Sequence, residues 1–411
     1  MRRLLPLLAL LVACTPAAPE VDRSGPLSFA VTIVGENPGP DPDAPAAFEV
    51  DTVQVDVEVV ALGYDKQPMD WSGTLAVKAT PAQLLSPPEV VVQSLPTTLT
   101  VTFTRGFGPV RVWVSDEGSD DTPGSYATGV SEAMHFRYPT VSEVQASDST
   151  VESPMEQTYA HIRGWDLEHD DPRDLRVTAI TNDGFFATDL SEPFGSYNSM
   201  FAFTFSRPDH LELGDRLERL SGIVEEFLGF TELGFPEWVV ADRPGAPSPP
   251  ELPPEIVCDS DAMEKWESTV VTVPMLVSDF RGGGSCADYN EFGQWPAMFV
   301  DRKGDPVQCG SQDARVNVVN INTVPSFDFP ECANFAPPAE RRLEYLTGIL
   351  RHNRYASPPW IIEVRDCRDF PPEARPADCV QQLELPLSGP RKNPQWLYRD
   401  IPDCVGHPSH R

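Results

Sequence analysis

From Leu27 onward, apolar and polar positions alternate with period two in short runs. In "VQVDVEV" the residues Val53, Val55, Val57 and Val59 fall on one side of an extended chain, and Gln54, Asp56 and Glu58 on the other. That is a strand with one buried and one wet face. "LSFAVTIVG", "GTLAVKATP", "TTLTVTFTRG" and "PVRVWVSDE" repeat the pattern between Pro, Gly and Asp punctuation. Such strands before Pro139 predict a two-sheet antiparallel sandwich over residues 27–140.

A second pattern follows. "DLRVTAITNDGFFATDL" reads as two strands around an Asn182-Asp183-Gly184 turn, and "MFAFTFSRP" as a third. "GDRLERLSGIV" gives a fourth strand, and a fifth begins at Thr231–Leu233. A glycine inside the fourth strand permits the bulge or sharp coil that a small closed barrel needs. The stretch "RLERLSGIV" (216–224) returns 126 residues later as "RLEYLTGIL" (342–350), which predicts a second barrel. There "WESTVVTVPMLVSDF" supplies the opening strand pair, "QWPAMFV" the third strand, "RRLEYLTGILRH" the fourth and "PPWIIEVRDCRDF" the close.

The first block resembles the immunoglobulin-like sandwich at the level of architecture, without its Cys…Trp…Cys signature. The two later blocks resemble the OB-fold repeats of secreted bacterial nucleases and related lipoproteins, in the order of hairpin, aromatic strand, "GDR…SGIV" and short end. The expected fold is therefore all-β: a sandwich at 27–140, then OB-like five-stranded barrels at 141–240 and 258–380. A proline-rich linker at 241–257 separates the barrels, and a tail covers 381–411.

Composition agrees with this and narrows the chemistry. The 44 prolines disfavour helix-rich folds. A formal charge of −31 repels polyphosphates and favours cations or basic partners. At the start, Arg2 and Arg3 precede a short apolar run that ends in Leu11-Val12-Ala13-Cys14. This resembles a bacterial lipobox, which implies a signal peptide through residue 14, diacylation of Cys14, and a tether at 15–26. Thr15 in place of Asp implies the outer membrane or cell surface. Seven cysteines remain, all from Cys258 onward. Export permits disulfides; the pairing is not deducible from spacing, and the nearest pair, Cys367 with Cys379, is the favoured bridge.

No HExxH, GxSxG, P-loop or GxGxxG occurs, so no catalytic residue is assigned. The acidic run "HIRGWDLEHDDPRD" offers Asp166, Glu168, Asp170 and Asp171 as hard ligands for Ca²⁺; no other cofactor is expected. For a nucleic-acid groove the candidates are Phe185, Phe186, Phe203 and Phe205 as stacking surfaces, with Arg351 and Arg354 as phosphate contacts. Charge opposes that role, because residues 159–240 carry 6 basic against 16 acidic side chains. The expected function is a non-enzymatic envelope lipoprotein, membrane-held by its lipid, that binds or scaffolds a protein or glycan partner. The alternatives are an accessory nucleic-acid-binding protein beside a separate nuclease, and a cryptic metal-dependent hydrolase.

Overall fold

The computed structural model describes residues 25–46, 52–116, 126–145, 152–153, 155–164, 173–273, 276–278, 294–301, 303–319, 342–354 and 357–372. The fold is all-β, and the chain divides into two compact units, 1–137 and 138–411.

The first unit holds β1 (Ser28–Val34), β2 (Val53–Leu62), β3 (Gly73–Thr80), β4 (Gln83–Leu84) and β5 (Glu89–Val92). It continues with β6 (Thr97–Thr104), β7 (Pro109–Ser115), β8 (Thr128–Val130) and β9 (Met134–His135). Two sheets, β1-β2-β6-β4 and β5-β3-β7-β8, form the sandwich, with β9 also on β7. The predicted alternation decides which side chains are inside. Val55, Val57 and Val59 of β2 meet Leu75 and Val77 of β3 and Val110, Val112 and Val114 of β7 in one core, while Gln54, Asp56 and Glu58 face solvent. Each valine or leucine so buried contributes about 1.5–3 kcal/mol before the entropy of ordering is charged against it.

The second unit opens with α1 (Val141–Gln145), a single turn set by a capping box. The Thr140 hydroxyl accepts from Glu143 N–H at 3.0 Å, and the Glu143 carboxylate accepts from Thr140 N–H at 2.9 Å. The first barrel follows: β10 (Tyr159–Arg163), β11 (Leu175–Ile180), β12 (Gly184–Asp189), β13 (Ser199–Phe203), β14 (Arg216–Phe227) and β15 (Phe230–Asp242). Five strands close in the circuit β11-β12-β13-β15-β14-β11, with β13 and β15 parallel and the rest antiparallel; β10 adds to β14.

A second turn, α2 (Ser260–Glu264), is capped by the Asp259 side chain, which accepts from Ala262 N–H at 3.1 Å. The strands that follow are β16 (Val270–Val273), β17 (Leu276–Ser278), β18 (Gln294–Phe299), β19 (Gln308–Cys309), β20 (Gln312–Asp313), β21 (Arg315–Val319), β22 (Arg342–Leu343), β23 (Leu346–His352) and β24 (Trp360–Glu363). β19 and β20 form a separate two-stranded sheet, and the other seven build the second barrel. It runs the same circuit, with β21 and β24 as the parallel pair. Here the structure corrects the strand count. The opening pair, β16 and β17, are two pieces of the barrel's first strand, one on β23 and one on β22. "QWPAMF" is the second strand, and the third is "RVNVV", whose run is too short to stand out.

The repeated glycine is explained by space. A Cβ on Gly222 would lie 2.9 Å from Gly234 O, and one on Gly348 would lie 2.8 Å from Glu363 O and 2.5 Å from Ile362 Cγ2. In both barrels the fourth strand crosses the fifth there without room for a side chain. The flanking Leu217, Leu220 and Val224, and Leu343, Leu346 and Leu350, are buried. The proline-rich connection is docked on the second barrel: Leu252 N–H donates to Thr272 O, Thr272 N–H to Pro250 O, and Leu252 joins the core. A disulfide joins Cys258 to Cys309. The favoured Cys367–Cys379 bridge lies outside the described residues, since Cys379 and the Cys367 side chain are not among them.

Candidate functional site

The two barrels share an apolar seam. Ala179, Phe186, Phe201 and Phe230 from the first pack with Val270 and Ile349 from the second. Arg351 enters this seam from β23. Its guanidinium centre sits 4.6 Å from the Phe230 ring centroid and 5.6 Å from that of Phe201, and Nη1 donates to Glu363 Oε2 at 2.8 Å. Both partners of this pair are buried. Glu232 lies in the same field; burial pushes its carboxyl up to about 7, against a smaller downward pull from Arg351.

This arrangement reassigns most of the predicted nucleic-acid groove. Phe185 and Phe186 are fully buried, where no base face can reach them. Arg351 is a seam residue, because its charge is already matched in a dry site. Arg354 is exposed but pairs with Glu152 at 3.3 Å. Arg365 makes a fork onto Asp369 and also donates to Thr178 O across the seam at 3.2 Å. Arg368 pairs with Asp366 at 2.6 Å.

Beside the seam lies a cluster that sequence reasoning missed. Gln145 at the end of α1, Glu226 near the end of β14, Glu264 at the end of α2, Glu267 just beyond it and His352 of β23 meet there. Glu267 Oε2 accepts from Gln145 Nε2 at 3.1 Å and from Thr231 N–H at 3.2 Å. Glu226 Oε1 accepts from Ser153 N–H at 2.6 Å and from the Thr231 hydroxyl at 2.7 Å. His352 Nδ1 is 3.0 Å from Gly229 O, and its ring stacks on Trp360 at 4.7 Å. Burial raises the carboxyls of Glu226 and Glu267, the latter well above the usual range, and pushes Glu264 up to about 8; neighbouring carboxylates add to each shift. The one sequence signal was the three-residue spacing of Glu264 and Glu267, which places both on one face of a helical turn.

A second feature runs from the seam to solvent. Phe201, Phe203, Phe205 and Phe235 form a ladder with centroid separations of 6.2, 4.4 and 5.1 Å. Phe201 is buried, Phe203 half-buried, and Phe205 and Phe235 are 60% and 65% exposed. Both exposed phenylalanines have left-handed backbone, φ 61° and 50°. Bulky residues rarely occupy that region, and it costs about 1–3 kcal/mol each. The Glu225 carboxylate lies over Gly234 beside Phe235, and Glu237 is exposed two residues on. Phe203 and Phe205 were candidates from sequence; Phe235, beyond Gly234 on a different strand, was not.

His161, the first residue of the acidic run, lies tilted against the Tyr138 ring at 4.4 Å and contacts Ser221 Oγ at 3.2 Å. Burial, reinforced by Arg163 and Arg219, lowers its pKa to about 4. Cys14 and the proposed calcium ligands Asp166, Glu168, Asp170 and Asp171 lie outside the described residues. Among the described residues no helix is long and apolar enough to cross a membrane. No protein-family model and no curated protein matches this chain.

Proposed function

We propose that this chain is a lipid-anchored, non-enzymatic binding protein of the bacterial envelope, and that it engages its partner through Phe203, Phe205 and Phe235. The observation that carries this reading is the pair of neighbouring phenylalanines left in solvent on strained backbone. Exposed aromatic clusters with a polar rim are the anchors of recognition surfaces. The rim here is acidic, Glu225 and Glu237, on a barrel with 6 basic against 16 acidic residues. The complementary partner is a protein segment that carries apolar side chains flanked by Lys or Arg. The nucleic-acid reading loses the support it drew from the arginines, which are engaged within the fold. The lipid anchor rests on the lipobox ending in Cys14.

The test is site-specific photocrosslinking from position 205 or 235 of the full chain on its native membrane. A protein adduct whose crosslinked peptide is Lys- or Arg-bearing, and which weakens with salt and with Glu225→Lys/Glu237→Lys, supports the reading. Adducts to glycan alone, or none above a control position on a polar face, would overturn it. Cys14→Ala is expected to release the protein from membranes in fractionation, and unchanged retention would remove the anchor from the account.

A further inference from the structure

We propose that the junction beside the seam is a binding site for one hard divalent cation of the calcium class, held by Glu264 and Glu267 with the amide oxygen of Gln145 beside them. This goes beyond the partner surface and is independent of it. Four oxygens at the junction are buried and accept no hydrogen bond from the described residues: Gln145 Oε1, Glu226 Oε2, Glu264 Oε2 and Glu267 Oε1. Gln145 is 4% exposed and Glu267 1% exposed. Buried acceptors of this kind are normally satisfied, by protein, water or an ion.

The geometry shows that these oxygens are held for something. Gln145 Nε2 is fixed to Glu267 Oε2, so its amide oxygen lies beside the same carboxylate. Thr231 ties Glu267 to Glu226 by donating its N–H to one and its hydroxyl to the other. Each of these two carboxylates thus keeps one oxygen pinned by donors and presents the other. Glu264, Glu267 and His352 offer ligand atoms that all lie within 4.8 Å of one another.

The role of His352 decides the class of ion. A carbonyl only accepts, so Nδ1 is the protonated nitrogen and donates to Gly229 O. The same Nδ1 is 3.4 Å from Glu264 Oε2; its proton is given to Gly229 O, and it offers no lone pair there. What remains facing the junction is carboxylate and amide oxygen, the ligand set of hard cations rather than of zinc. Arg351 and Arg354 are engaged by Glu363 and Glu152. Glu264 and Glu267, buried with oxygens within reach of one ion, are stabilised in their charged form by a dication.

The experiment uses the full chain, stripped with chelator and returned to pH 7.5, titrated with Ca²⁺, Mg²⁺ and Mn²⁺ by calorimetry and by thermal midpoint. The expected result is one equivalent of Ca²⁺ bound and a midpoint that climbs with its concentration. Glu264→Gln and Glu267→Gln should each weaken binding at least tenfold, with metal-free midpoints at or above the parent. Tb³⁺ supplies a reading that needs no variant: emission sensitised by Trp360, which stacks on His352 beside the site, should appear and be displaced by Ca²⁺. Absence of heat and midpoint change with all three ions would overturn the proposal. So would binding that survives unchanged in the double variant, since it would belong to another acidic segment, and so would Tb³⁺ emission that Ca²⁺ does not displace.

Discussion

Replacing Arg351 with Met tests whether the seam arginine holds the barrels in this arrangement. The guanidinium is buried, bonded to Glu363 at 2.8 Å, and placed over two phenylalanine rings. Breaking a buried pair strands the remaining carboxylate in a dry site, at about 3–5 kcal/mol. The lost ring contacts add about 0.5–2 kcal/mol. Arg351 also draws the pKa of Glu232 down, so its removal makes that carboxyl harder to ionise and enlarges the loss at higher pH. Arg351→Met/Glu363→Leu removes both charges and keeps the volume apolar, so it should recover most of the single-variant loss. Urea denaturation of the full chain, followed by tryptophan emission of the second unit, reads each value, because Trp295 and Trp360 are buried there. A loss under about 1 kcal/mol for Arg351→Met would refute the reasoning. A double variant as unstable as the sum of its singles would refute it too.

Three further predictions follow, two from titration and one from space. Glu232 is buried and its pKa rises from 4.5 to about 7; its contribution to stability is full below about pH 4.5 and is lost as pH rises through about 7. The loss is about 3 kcal/mol, and Glu232→Gln should abolish that limb in denaturation curves collected from pH 5 to 8. His161 acts in the other direction: its pKa falls from 6.5 to about 4, so stability is lost as pH falls through that window, and His161→Gln should remove the acid limb. Gly348→Ala should cost about 1–3 kcal/mol by overpacking. Gly222→Ala should cost less, since its nearest neighbour is 2.9 Å away rather than 2.5 Å.

The fold was legible where one face of a strand meets water. In β2 the alternation of Val with Gln, Asp and Glu is read directly as inside and outside. In β14 the leucines and the glycine of the repeat mark a barrel strand, and the structure places both copies in equivalent positions. Legibility failed in the second barrel, where β21 is five residues long and the first strand is broken into two pieces. The junction was not legible for a different reason. Gln145 and His352 are 207 positions apart (145 to 352) and neither belongs to a spacing motif; packing of the barrels against each other brings them together. Nor did composition separate the aromatics. Phe186 and Phe205 lie in similar apolar runs of the sequence, yet one fills the seam and the other meets solvent, because Phe205 lies beyond the end of β13.

The central claim is that the exposed end of the aromatic ladder is kept for a partner and not for the fold. The most direct measurement compares the full chain with Phe205→Ser/Phe235→Ser for two quantities: thermal midpoint, and yield of the adduct crosslinked from a neighbouring ladder position, residue 203. The midpoint should equal the parent's or exceed it, since two strained and solvent-exposed phenyl rings are removed, with adduct yield reduced at least tenfold. A lowered midpoint with an unchanged adduct would contradict it and make the ladder structural.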